Sequence, residues 1–150
     1  MSRAWINIAF MIVVSGIGVL IGLTNLPGDW YASLSKPAFN PPNWIFGPVW
    51  AILYILIGVA GARIWIRAKS SNVMIIWFTQ MILNFSWSPT FFGAQNIDAA
   101  LLIILGMLAL IVAFILKARR IDKLASLYFI PYALWVSFAA LLNFSIYLLN

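Results

Sequence analysis

Five uncharged, apolar runs occupy almost the whole of this 150-residue chain: Ala4–Gly28, Pro37–Ala62, Ser70–Asn96, Ala99–Leu116 and Leu124–Asn150. A helix needs about 20 apolar residues to cross a bilayer, so each run supplies one span and none supplies two. In lipid only helices and closed barrels satisfy their own backbone, and these runs lack the alternation of a barrel strand. The expected fold is therefore an all-α integral membrane protein. It is a five-transmembrane-helix bundle forming one domain over 1–150, with spans near 5–25, 44–66, 73–92, 99–117 and 124–148.

At 65% apolar and 8% charged, the chain carries more apolar side chains than a soluble domain of this size can bury. A cytosolic enzyme, a disordered chain and a secreted disulfide scaffold are excluded. The first run exceeds the roughly 7–15 apolar residues of a cleaved signal peptide, so it reads as a span.

Charge sets the orientation. With five spans, one side holds eight basic residues against Asp122, a net of +7, and the other holds Lys36 against Asp29 and Asp98, a net of −1. The positive-inside rule then places the N-terminus in the cytoplasm. Topology and lipid headgroups account for the basic excess, so it implies no nucleic-acid partner. Short ends without a targeting segment favour a bacterial cell membrane.

One connection is long. It reads LPGDWYASLSKPAFNPPN from Leu26 to Asn43. Pro37, Pro41 and Pro42 stiffen it, and Asn40 or Asn43 is the expected cap of the second helix. Its aromatic residues are either an interfacial belt or part of an ordered lid over one end of the bundle.

The residue inventory excludes most chemistry. There is no Cys, no His and no Glu, and the only acids are Asp29, Asp98 and Asp122. Thiolate, imidazole and paired-carboxylate catalysis have no residues to work with, and no metal site is expected. What remains is aromatic surface, with 8 Trp, 11 Phe and 5 Tyr.

Those aromatics recur at helical spacing. Gln80, Asn84, Trp87 and Phe91 fall on one face of the third span. Their amides either glue helices together or line a cavity. Phe46, Trp50, Tyr54 and Gly61 share a face of the second span, and Tyr132, Trp135, Ala139 and Asn143 share one of the fifth. Three such stripes point to a cavity lined by Trp50, Tyr54, Asn84, Trp87 and Trp135, with room for a planar ligand beside Gly61 and Ala139. Gly18 and Gly22 form a GxxxG in the first span, usable within the chain or between two copies.

Three stretches in order carry a family resemblance: WYASLSKPAFNPPNWIFGPVWAILY (Trp30–Tyr54), NFSWSPTFFG (Asn84–Gly93) and PYALWVSFAALLN (Pro131–Asn143). The chain resembles the translocator protein family, also called tryptophan-rich sensory proteins or peripheral-type benzodiazepine receptors. The resemblance implies a five-helix bundle, usually a homodimer, that binds porphyrins, haem and related tetrapyrroles as ligands without requiring a cofactor. It also implies binding of synthetic isoquinoline- and benzodiazepine-type compounds, and a role in tetrapyrrole handling or transport. Some bacterial members are reported to promote light-dependent porphyrin breakdown.

By motif, the family's pocket corresponds to Trp50, Tyr54, Asn84, Trp87, Phe91, Trp135 and Ala139, under a lid with Trp30, Pro41 and Pro42. The tryptophans proposed for its photochemistry fall on Trp50 and Trp135, the only candidate catalytic residues. Two positions depart from the pattern. Ala38-Phe39 stands where two bulky aromatics are common. The chain ends SIYLLN, with no basic residue after Tyr147, so the family's cholesterol motif is incomplete. Three roles stay open: a tetrapyrrole-binding receptor, a light- and oxygen-dependent porphyrin-degrading activity, and a structural or assembly protein.

Overall fold

The computed structural model describes residues 1–150 and contains helices and turns but no strand. Six α-helices follow in order: α1 (Arg3–Thr24), α2 (Asp29–Ser33), α3 (Phe46–Ala68), α4 (Asn72–Ser88), α5 (Ile97–Ala118) and α6 (Lys123–Leu149). The helix beyond the five anticipated is α2, a five-residue segment inside the long connection. Four helical segments are long and apolar enough to cross a membrane: α1, Asn43–Ala68, α5 and α6.

Local chemistry sets the helix ends. The Ser71 hydroxyl accepts from Met74 N–H at the start of α4, and the Asn96 amide oxygen accepts from Ala99 N–H at the start of α5. Asp122 caps α6, its Oδ1 accepting from the N–H groups of Leu124 and Ala125 at 3.0 and 3.2 Å. The start of α3 differs from expectation. Neither Asn40 nor Asn43 caps it; a 3₁₀ turn, Asn43–Ile45, leads in without any side-chain cap. Pro48, rather than Pro41 or Pro42, occupies the first turn, where its missing N–H has no intrahelical partner to lose.

The expected third span is broken near its end. α4 stops at Ser88 and continues as a π turn over Pro89–Gly93, closed by Ala94 N–H donating to Pro89 O at 2.8 Å. Pro89 cannot donate, so the regular ladder lapses there and the wider turn takes over. Gln95 then adopts φ 54°, turning the chain into α5.

α1 packs mainly on α3, α3 on α6, and α5 on both α4 and α6. The core between them is apolar and closely packed, with Ile57, Ile64, Phe114, Phe129 and Val136 fully buried. Gly58 permits close helix approach. A Cβ on Gly58 would sit 2.9 Å from Met11 Cα, so α1 and α3 touch backbone to backbone there.

At the basic end, Asp122 Oδ2 lies 2.9 Å from both Arg63 Nε and Arg67 Nη1, pinning the α5–α6 corner to α3. Around the outside, large apolar residues such as Leu20, Ile82, Leu102 and Leu134 are more than 60% exposed. Apolar surface on every side, with charge gathered at the ends, is the surface of a protein solvated by lipid. This is an integral membrane protein.

Candidate ligand-binding site

A cavity of about 400 Å³ lies beneath the long connection, walled by α1, α3, α4, α5 and α6. That is within the usual range for small-molecule sites. The stripes read from the sequence supply much of its wall: Phe46, Trp50 and Tyr54 from α3; Asn84, Trp87 and Phe91 from α4 and its π turn; Trp135, Ala139 and Asn143 from α6. No charged residue lines it, and no group of His, Cys, Asp or Glu anywhere is placed to hold a metal.

The two amides of α4 divide the roles offered for them. Gln80 is fully buried and lies outside the cavity wall, whereas Asn84 lines it. Both belong to one hydrogen-bonded chain. Tyr54 Oη donates to Asn84 Oδ1 at 3.4 Å, Asn84 Nδ2 donates to Tyr132 Oη at 2.6 Å, and Tyr132 Oη donates to Gln80 Oε1 at 2.8 Å. The chain joins α3, α4 and α6 through the bundle interior, where unpaired polar groups are costly. Gln80 is thus interhelical glue, and Asn84 is both glue and wall. A second link runs from Trp87 Nε1 to Asn143 Oδ1 at 3.1 Å and from Asn143 Nδ2 to Ile97 O at 3.3 Å.

The aromatic walls pack ring against ring. Trp87 stacks on Phe91 with ring centres 5.0 Å apart, and Trp50 lies 5.4 Å from Tyr54. Trp135 meets Phe46 edge-on at 5.8 Å. Its Nε1–H is buried without a partner, an unsatisfied donor on a cavity-lining ring.

The lid differs from the sequence reading. Trp30, Pro41 and Pro42 do not line the cavity; Trp30 packs edge-on against the Phe91 ring at 5.7 Å. Tyr31 lines it instead, nearly buried against Phe91 and Phe92. Asn25, Asn40, Asn43 and Trp44 complete the mouth. The backbone of Ser35 is paired with the Asn150 side chain, its N–H donating to Oδ1 at 3.0 Å and its carbonyl accepting from Nδ2 at 2.8 Å.

Gly61 is also displaced from its expected role. The Trp77 indole fills the space beside it, and Trp77 Nε1 donates to Ile57 O at 3.1 Å. No planar ligand fits there. Ile104 and Met107 of α5 line the floor unforeseen, because a helix apolar on all faces shows no stripe to read.

The chain has relatives among known proteins. Residues 8–149 match the TspO/MBR family. Tryptophan-rich protein TspO of Archaeoglobus fulgidus is 46% identical over 123 residues, covering 81% of this chain and 80% of the relative. Tryptophan-rich sensory protein of Cereibacter sphaeroides is 30% identical over 100% of this chain and 95% of its own length. The human translocator protein is 28% identical over 98% of this chain and 92% of its own. An aromatic cavity under a structured connection, built by the same stretches that carried the resemblance, thus sits in a chain that belongs to the TspO/MBR family.

Proposed function

We propose that this protein is a membrane receptor or sensor that binds porphyrins and related tetrapyrroles in the cavity beneath the long connection. Synthetic isoquinoline- and benzodiazepine-type compounds would occupy the same place. The observation that carries the reading is the wall itself: Trp50, Trp87 and Trp135 face one uncharged cavity from three helices. Flat indole and phenyl faces hold a planar ring by stacking and apolar burial. The unpartnered Trp135 Nε1–H and the Asn84 amide are among the polar groups available to orient it.

In this reading α4 and its π turn form a fifth span, since 17 residues lie at the short end of the spanning range and the turn prolongs them. The N-terminus is cytoplasmic, the membrane that of a bacterial cell and the assembly a homodimer.

A second reading rests on Trp50 and Trp135 lining the same cavity. Indole is far easier to oxidise than benzene, so an illuminated porphyrin beside these rings in the presence of oxygen could be degraded rather than held.

Titration of the tryptophan fluorescence with protoporphyrin, in darkness and then in light, tests both. Saturable quenching in darkness is the expected result, and a new absorbing product on illumination would favour the second reading. No quenching at all would remove the cavity from function and leave a structural or assembly role.

A further inference from the structure

We propose that the ligand reaches the cavity sideways from the bilayer, through a gap between α1 and α3, rather than from water beneath the lid. The inference rests on the binding role proposed above and concerns how that site is loaded.

The packing of the two helices is uneven along their length. They touch backbone to backbone at Met11 and Gly58, and nearer the cavity the Tyr54 ring fills the space beside Gly18. Gly22 lies eleven residues beyond Met11, and Gly47 lies eleven residues before Gly58. At about 1.5 Å per residue both stand roughly 16 Å from that contact, level with each other. A Cβ on either would meet nothing within 4 Å, and both line the cavity. Open space therefore lies beside both glycines at the cavity end of the α1–α3 pair, where the tight packing seen at Gly58 and Gly18 has ended.

The rim of the gap faces both ways. Val19 and Leu23 of α1 are 51% and 66% exposed, and both line the cavity. Ala51 of α3 does the same. Exposed residues that also line the cavity place its wall at the surface of the bundle here. Nothing charged borders it, so the gap suits a molecule already dissolved in hydrocarbon and disfavours a hydrated ion.

The alternative route is better secured. Tyr31 packs edge-on to Phe92 at 5.3 Å, and the Ser35–Asn150 pair fastens the connection to the end of α6. By contrast, no side chain of α1 hydrogen-bonds to another helix. Widening the gap breaks apolar contacts alone.

The chain has no cysteine, so the pair Gly22→Cys and Gly47→Cys offers a unique tie. The double variant is placed in vesicles and joined by a cleavable bifunctional thiol reagent. Protoporphyrin association and dissociation are followed by tryptophan quenching in the dark. Tying the gap is expected to slow both rates about tenfold, and cleaving the tie restores them. Gly22→Phe gives an independent obstruction and slows arrival and departure alike. Asn150→Ala, which frees the connection, leaves both rates unchanged.

Rates indifferent to the tie and to Gly22→Phe, or accelerated by Asn150→Ala, would overturn the lateral route while leaving binding intact. Absence of quenching in the unmodified protein would overturn the binding role and the route together.

Discussion

Trp77 occupies the space that Gly61 leaves by having no side chain. The indole crosses from α4 to α3, seals the core with a hydrogen bond to Ile57 O, and lies against Phe10 at 5.3 Å. A methyl at Gly61 would overlap the fused ring, which cannot bend away as an aliphatic chain could. Gly61→Ala is expected to cost about 1–3 kcal/mol, the usual penalty of overpacking. Gly22→Ala, with open space around it, should melt like the parent. Thermal unfolding of both variants in one detergent checks the contrast; equal melting temperatures would contradict the packing described.

Asn84→Leu removes the middle of the Tyr54–Asn84–Tyr132 chain. Tyr132 keeps Gln80 as its acceptor, whereas Tyr54 loses Asn84. Interhelical amide bonds in membranes contribute about 0.6–2 kcal/mol, so the bundle should persist with a modest loss of stability. Porphyrin affinity should fall about tenfold, as for one good hydrogen bond in a closed site. Loss of binding only where the bundle itself unfolds would show that Asn84 is glue and nothing more.

Asp122 makes stability depend on pH. Desolvation pulls its carboxyl upward, but the ion pair with Arg63, the hydrogen bond from Ala125 N–H and the charge of Arg67 outweigh it and hold the group below its ordinary value. A carboxyl depressed in the folded state stabilises above its unfolded pKa, about 3.9, and that contribution is lost as pH falls through the folded value. Asp122→Asn keeps a capping oxygen and removes the charge. The variant should be less stable at neutral pH by about 1–2 kcal/mol, at the low end for charged hydrogen bonds because Arg67 is 40% exposed. The gap between variant and parent should close in acid below the normal carboxylate range. Denaturant unfolding across pH measures it; a constant gap would mean the ion pairs contribute nothing.

Trp50→Phe and Trp135→Phe separate recognition from photochemistry. Each keeps an aromatic face, so affinity should fall by no more than about 1 kcal/mol. Trp135→Phe also deletes a buried donor without a partner, so the empty protein should be no less stable. Any conversion under illumination should suffer far more than binding does. Parallel titration and product spectra read both; undiminished conversion would reduce these rings to walls. Metal-free porphyrin should bind about as well as haem, because no His or Cys exists to ligate iron.

The periodicity of three helices points Trp50, Tyr54, Asn84, Trp87 and Trp135 toward one cavity, because a spacing of three and four residues defines a face wherever the helix is packed; the family resemblance adds Phe91. The π turn did not displace Phe91, which still lines the cavity. Where a second element decides the outcome, local pattern failed. Gly61 looked vacant because the ring filling it, Trp77, comes from another helix, α4. In the connection, Trp30 and Tyr31 are adjacent, and only the docking of α2 selects Tyr31 for the cavity. The share of α5 could not be read at all, since apolarity on every face carries no direction.

The hydrogen bonds and ion pairs that cross between helices join α3, α4, α5 and α6: Asp122 to Arg63 and Arg67, Tyr54 through Asn84 to Tyr132, Trp87 to Asn143, and Ser126 to Ile115 O. α1 shares in none of them. Three sides of the cavity are thus a fixed mould, and the fourth is a compliant leaf leaning on it through oil-like contacts. A guest that presents one flat face to the mould meets the same surface whatever bulk it carries on the other, because the leaf can shift to fit. On the binding role proposed above, breadth of ligand shape and sharpness of aromatic contact would coexist in one small bundle, each assigned to a different side of the same space.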